Sequence, residues 1–372
     1  PTLKSFHILH TEAAFGWGGQ EIRVFQETKS LVERGHRVSV VCQPESPLEK
    51  HCGSFFNSRF SFRPIKMDRA FNLKALKKLY QFINEISPDI VHTHSSVDSR
   101  TAGIAARIAG IKVVRSRHIS IPISKSKLTW WQYMKLADRV ITSGRDIRNT
   151  MIKNNKMLAE KIVSAPAGVD TQIFSIDREL NDIRPKYKLD ATHFVVGIVS
   201  VLRSWKGHKY LIEAIKMASK VIPNIRLIVV GSGPQKKNIE QLIKTLDLVN
   251  HVILAGYQHD PAFFYKAMDV MVLPSYAGEA TSQVLPQAML MGKPVISTDT
   301  GGLSEVVIHN KTGLIVPTKN SLEIFNAIKI LFDDDSLRNR LAEEGRVHAL
   351  KNFTFEKMIE TTEHVYLDLM RS

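Results

Sequence analysis

Apolar and polar positions alternate along this chain in blocks that repeat. Residues 5–9, 37–42, 90–93, 113–115, 140–142 and 162–164 are short, mostly aliphatic runs of strand length. Between them lie stretches with helical spacing at 20–34, at 74–82 and, rich in small residues, at 101–109. Gly35 stands where a helix over 20–34 needs its left-handed C′ residue. A polar stretch at 175–192, with Pro185 and few apolar positions, reads as a linker. The pattern then restarts. Strands are predicted at 194–201, 226–230, 252–255, 270–273, 295–297 and 313–316, with a helix at 207–221 and a last one at 355–370. Strands alternating with helices predict an α/β fold of two doubly wound parallel sheets. Ligands in such sheets bind beyond the carboxyl ends of the strands, and with two domains the expected site is the cleft that they face across.

A length of 372 residues agrees, since single cores rarely grow past about 250–300. No apolar run approaches the ~20 residues of a spanning helix. The segment Thr2-Leu-Lys-Ser-Phe-His-Ile-Leu reads as a first strand rather than a signal peptide. Cys42 and Cys52 make no metal-type spacing and no disulfide framework, which fits a reducing cytoplasm.

The formal net charge is +15. Residues 1–170 hold 27 Lys/Arg against 14 Asp/Glu, an excess of 13, while residues 171–372 hold 24 against 22, an excess of 2. A basic first half attracts polyanions, including anionic headgroups and phosphorylated glycans. No helix-turn-helix, zinc or RNA-binding signature favours nucleic acid.

Candidate chemistry collects at the predicted strand ends. Glu279-Ala-Thr-Ser282-Gln283-Val284-Leu285-Pro-Gln287 sets an acidic residue in a small polar loop and an amide eight positions later at a helix start. Gly301-Gly302 follows the next strand. Backbone N–H groups of such a loop suit an anion, and Glu279 and Gln287 bracket it with groups that bind hydroxyls. Phosphate flanked by hydroxyls describes a nucleotide-sugar. Arg203 and Lys206, in Arg203-Ser-Trp-Lys206-Gly, offer a planar fork and a mobile point charge for a diphosphate. Gly231-Ser-Gly233-Pro and Gly256-Tyr257-Gln-His-Asp260 form further strand-end turns, explained about as well by structure alone. In the first half, Phe15-Gly-Trp-Gly18-Gly19-Gln20 opens a helix without the full dinucleotide-binding spacing. Arg115-Ser-Arg117-His118 and His92-Thr-His94 also end strands. His92 and His94 are read as projecting to opposite faces, hence poor joint metal ligands, and no metal site is expected. Lys125-Ser-Lys127-Leu-Thr-Trp130-Trp131 mixes aromatics with cations, which suits a membrane interface or a core-facing stripe equally.

The Glu279 segment resembles the E-x7-E signature of the retaining, group 1 GT-B glycosyltransferases, with Gln287 where a second Glu usually stands. The resemblance runs from the glycine loop to the last helix, and takes in Arg203 and Lys206, Gly168-Val-Asp170 and Ala137-Asp138. It implies an acceptor-binding domain at 1–170, a nucleotide-sugar domain at 171–352, and a terminal helix at 353–372 that packs back on the first domain. It implies sugar transfer to a hydroxyl with retention, without metal or other cofactor. His118, Arg203, Lys206 and Glu279 would serve catalysis. Gly18, Gly19, Gly233, Tyr257, Ser282, Gln283, Val284, Leu285 and Gln287 would bind the donor, and Gln20, His94 and Arg117 the acceptor. An amide at 287 still bonds a ribose diol but forfeits the charge-assisted part. The basic first half then suggests a glycan or glycolipid acceptor of the cell envelope, such as lipopolysaccharide core, reached from the cytoplasmic face by peripheral contact with the inner membrane. Two other readings are a sugar-nucleotide epimerase and an inactive nucleotide-sugar binder.

Overall fold

The computed structural model describes residues 5–68, 72–118 and 123–371. Residues 2–4 of the predicted first strand, and Ile119 and Ser120 after His118, lie outside the described residues. The chain divides into two compact units, Pro1–Pro166 with Met358–Ser372, and Ala167–Lys357. Each is a wholly parallel sheet with helices between its strands.

In the first unit the strands are β1 (His7–Thr11), β2 (Arg37–Cys42), β3 (Phe60–Pro64), β4 (Ile90–Thr93), β5 (Lys112–Arg117), β6 (Arg139–Thr142) and β7 (Ile162–Ser164), in the order β3-β2-β1-β4-β5-β6-β7. The connections include α1 (Gly19–Glu33), α2 (Pro47–Gly53), α3 (Leu73–Ile86) and α4 (Ser96–Ile108). Gly35 has φ +94°, as a helix C′ residue requires. Sequence pattern missed α2 and β3. The latter is an edge strand of alternating polar residues ending in Pro64, and Pro is tolerated only at such an edge.

In the second unit the strands are β8 (Phe194–Val199), β9 (Ile225–Val230), β10 (Val252–Gly256), β11 (Val270–Leu273), β12 (Val295–Thr298) and β13 (Leu314–Val316), in the order β10-β9-β8-β11-β12-β13. Strand β8 is buried at every position, the continuous apolar run expected where helices cover both faces of a sheet. Order reverses between β8 and β11, the switch point where such sheets bind ligands. Residues 175–192 are not a free linker. Leu180 and Leu189 are buried in the core beside Phe174, Tyr265 and Met268.

Candidate active site

Two loops of the second unit meet at the carboxyl ends of β8 and β11. Gly207, with φ +76°, follows the loop after β8, and a Cβ there would lie 2.0 Å from the Pro274 carbonyl oxygen. Only glycine lets these segments approach so closely. Tyr276 N–H donates to the Trp205 carbonyl at 2.9 Å, fastening the same approach. The result sets Lys206 Nζ against Glu279 Oε1 at 2.5 Å, while Ser275 Oγ donates to that oxygen at 2.6 Å. Both charged side chains are largely buried. Lys206 is thus not a solvated cation beside Arg203; its charge holds the Glu279 carboxylate. Arg203 itself is exposed, its guanidinium 5.0 Å from the Trp205 ring.

The loop after β12 seals the other side of Glu279. Gly301, at φ +56°, passes so near that a Cβ would lie 2.1 Å from the Glu279 carbonyl oxygen, and Gly302 N–H donates to that oxygen at 3.3 Å. This contact accounts for the paired glycines. Helix α5 (Val284–Leu290) then begins, bearing Val284, Leu285 and Gln287. Gln283, its N-cap, donates through Nε2 to the Gly168 carbonyl at 2.9 Å, and Ser282 precedes it half-buried. Gln287 Oε1 accepts from the Tyr265 hydroxyl at 3.0 Å, a proton shared with the Val284 carbonyl at 3.2 Å, and this sets Nε2 as the donor end of the amide. Gly231, Ser232, Gly256, Lys236, Leu202 and Tyr257 line a cavity of ≈ 330 Å³ at the ends of β9 and β10. Gly233 (φ +158°) would put a Cβ 2.6 Å from the Leu202 carbonyl oxygen, and Tyr257 is 72% exposed at the cavity's rim.

In the first unit, four imidazoles line one face of the sheet. His10 and His92 are register partners on β1 and β4, and the His92 and His94 rings lie 4.2 Å apart. The opposite-face expectation is therefore corrected: residues two apart on a strand share a face. His10 Nδ1 and His94 Nε2 are 2.8 Å apart, and His94 Nδ1 and His118 Nε2 are 3.1 Å apart. Burial lowers the basicity of all four, His10 to about 3, aided at His92 and His94 by the neighbouring imidazoles and at His118 by Arg23 and Arg117. They are neutral at pH 7. His94, 3% exposed with both nitrogens occupied, stands behind His118 rather than at a surface where an acceptor binds. Arg117 ends β5 next to His118.

The glycine loop is organised by acids that motif reading passed over. Glu21 accepts the Gly18 N–H at 2.7 Å at the start of α1, so that this amide is already taken. Gly19 opens the helix, with open space around its Cα. Gln20 Nε2 donates to Glu12 Oε2 at 2.6 Å. Burial, and then the nearby Asp98, push the Glu12 carboxyl up to about 8. Asp98 accepts from Thr11 Oγ1 at 2.7 Å and from the His94 N–H at 2.9 Å. The spacing Ser95-x-x-Asp98, a capping box, was the signal available for it.

Two Rossmann-like parallel-sheet units in succession have the architecture of the GT-B class. Two family models match in succession, glycosyltransferase family 4 over residues 17–173 and glycosyl transferases group 1 over residues 180–348. The chain belongs to the group 1 glycosyltransferases of GT-B fold. Among its relatives is the UDP-Gal:α-D-GlcNAc-diphosphoundecaprenol α-1,3-galactosyltransferase of Escherichia coli, 26% identical over 99% of both chains. A glycosyltransferase of Rickettsia africae ESF-5 has the same fold at a TM-score of 0.89, with 21% identity and 99% of each chain covered. Anabaena HepE, solved in complex with UDP, superimposes at 0.84 with 22% identity, over 98% of this chain and 100% of that one.

Proposed function

We propose that this glycosyltransferase moves a sugar, with retention, from a UDP-sugar to a hydroxyl of a lipid-linked glycan used in cell-envelope polysaccharide or lipopolysaccharide synthesis. The buried Lys206–Glu279 pair carries the reading. It holds a carboxylate rigidly at a strand end, where it can bind hydroxyls of the transferred sugar. Gln287 Nε2 bonds the ribose, Tyr257 covers the base, and Arg203 takes the diphosphate. Backbone N–H groups at Ser282, Gln283, Val284 and Leu285, together with the turn at Gly233 and the open backbone at Gly19, complete the donor contacts. The choice of UDP rests on the donor of the Escherichia coli relative and the ligand of Anabaena HepE.

In the reaction the bond between the anomeric carbon and the phosphate oxygen breaks while one to the acceptor oxygen forms. The acceptor proton passes to the departing phosphate oxygen. Developing charge on the leaving group is met by Arg203, Lys206 and backbone amides, the largest contribution in sites of this type. His118 faces the sugar; Gln20 and Arg117 serve the acceptor. The relative's polyprenyl diphosphate acceptor and the +13 charge of residues 1–170 support an anionic, membrane-borne substrate met by peripheral contact at the cytoplasmic face. No helix among the described residues is long and apolar enough to cross a membrane.

The test is incubation of UDP-sugars with polyprenyl-diphosphate-linked N-acetylglucosamine, following UDP release and the anomeric proton of the product. An axial linkage from an axial donor supports the reading. UDP-sugar binding without transfer to any lipid-linked or soluble glycan would overturn it in favour of an inactive binder.

A further inference from the structure

The buried polar network on the first unit's sheet contains more than positioned histidines. Glu27, on α1, accepts Arg23 Nε on Oε1 at 2.7 Å. Its other oxygen, Oε2, and His10 Nε2 have no bonding partner among the described residues, although both residues are 0% exposed. A nitrogen of His10 and an oxygen of Glu27 lie within 4.8 Å of one another, a gap that one water or a small side-chain shift closes. From His10 the bonds continue through His94 to His118.

We propose that Glu27, His10, His94 and His118 form a directional hydrogen-bond relay in which each imidazole is the Nε2–H tautomer, so that His118 presents a bare Nδ1 as an acceptor. The direction follows from one end. An ionised carboxylate only accepts, and a neutral imidazole has one donor and one acceptor nitrogen. With His10 Nε2–H turned to Glu27, His10 Nδ1 must accept from His94 Nε2–H. His94 Nδ1 must then accept from His118 Nε2–H, leaving the proton-free nitrogen of His118 at the carboxyl-end edge of the sheet. His10 and His94 are positioning residues that act through His118. His92 stands outside the relay, with Nδ1 bonded to Tyr366 Oη at 2.7 Å and Nε2 to Ser116 Oγ at 2.8 Å.

A metal ion is the competing occupant, because ligand atoms of His10, Glu27, His92 and His94 all lie within 4.8 Å of one another. It would have to draw His92 and His94 out of the bonds just given, with the Arg23 guanidinium already on Glu27. Directional proton order accounts for the same atoms without breaking any contact.

What His118 Nδ1 accepts from, a hydroxyl of the bound sugar, rests on the glycosyltransferase reading; the proton order does not. The experiment is long-range ¹H–¹⁵N correlation on protein labelled at histidine nitrogens, with His118→Asn assigning the His118 signals, alongside metal analysis of the purified protein. The expected result is a single Nε2–H tautomer at His118 with an unprotonated Nδ1 shift, and no stoichiometric metal. In His94→Leu, checked for folding by circular dichroism, both His118 nitrogens should move toward tautomer-averaged shifts. An Nδ1–H tautomer or an imidazolium at His118, shifts unchanged in His94→Leu, or one equivalent of bound metal would each overturn the relay. Should His94→Leu fail to fold, the wild-type spectrum and metal content decide alone. None of these readouts needs a donor, so absence of sugar transfer leaves the relay result intact.

Discussion

Lys206 and Glu279, 73 residues apart in the chain, meet at 2.5 Å through a close approach of two loops that only Gly207 permits. The pair is nearly closed to solvent, with side-chain exposures of 14% and 6%. Removing one partner leaves an uncompensated buried charge, which costs about 3–5 kcal/mol. Glu279→Ala should therefore lower the urea midpoint as well as abolish transfer. Glu279→Gln, which keeps an oxygen for Lys206 and Ser275, should lose activity with a smaller stability loss. Equal midpoints for Glu279→Ala and wild type would contradict the buried pair.

Gly301 supports the same carboxylate from behind. At φ +56°, with the Glu279 carbonyl 2.1 Å from any Cβ, Gly301→Ala cannot be accommodated without moving that loop. The left-handed conformation alone costs about 1–2 kcal/mol for an L side chain. Thermal denaturation and nucleotide-sugar titration should both register the change. An alanine variant with unaltered melting and affinity would mean that the loop is not held by this contact.

Stability should peak near pH 6.5–7. The four buried imidazoles, with His208 (lowered by burial to about 4), bind protons more weakly folded than their ordinary 6.5. Unfolding therefore takes up protons below pH 6.5, and stability falls as pH drops from there, by roughly 1.4 kcal/mol per pH unit per proton. Glu12 works the other way. Its folded pKa of about 8 exceeds its ordinary 4.5, so the protonated carboxyl stabilises at low pH and this is lost as pH rises through 8. Several histidines outweigh one carboxyl below pH 6.5; above it Glu12 acts alone among these groups. Melting temperatures across pH 5–9 check the profile, and a curve still rising from pH 6.5 to 9 would contradict it.

The proposed base and ribose contacts, Tyr257 and Gln287, can be tested apart. Stacking of a base on an aromatic ring is worth about 1–3 kcal/mol, so Tyr257→Ala should weaken UDP binding roughly tenfold without moving the melting temperature, because the ring is 72% exposed. Gln287→Glu restores a charge-assisted bond to the ribose and should tighten binding by about fivefold. An unchanged affinity in either variant removes that residue from the donor site.

The sheet architecture was legible in the sequence because parallel strands covered on both faces are short, mostly aliphatic runs; β2, β4, β7 and β11 have the predicted bounds. The edge strand β3 was not, since half its residues face solvent and carry no such run. Glycines 207 and 301 marked the two loops of the candidate site, but the Lys206–Glu279 pairing is a long-range contact that no local spacing encodes. The histidine row shows the same limit. His92 and His94 are two residues apart in sequence, but His10 and His118 join them only through strand order β1-β4-β5. Glu12 was not legible because a single acid after a strand has no motif of its own, whereas the Ser95-x-x-Asp98 spacing of a helix start did mark Asp98.

The most direct measurement is calorimetric titration, without added metal, of UDP, GDP, ADP and CDP and their common sugars into wild type and Arg203→Ala. Wild type should bind UDP and one UDP-sugar tightly, and Arg203→Ala should lose both while its fold persists. Failure of wild type and of Gln287→Glu to bind any of these nucleotides would contradict the proposed donor site.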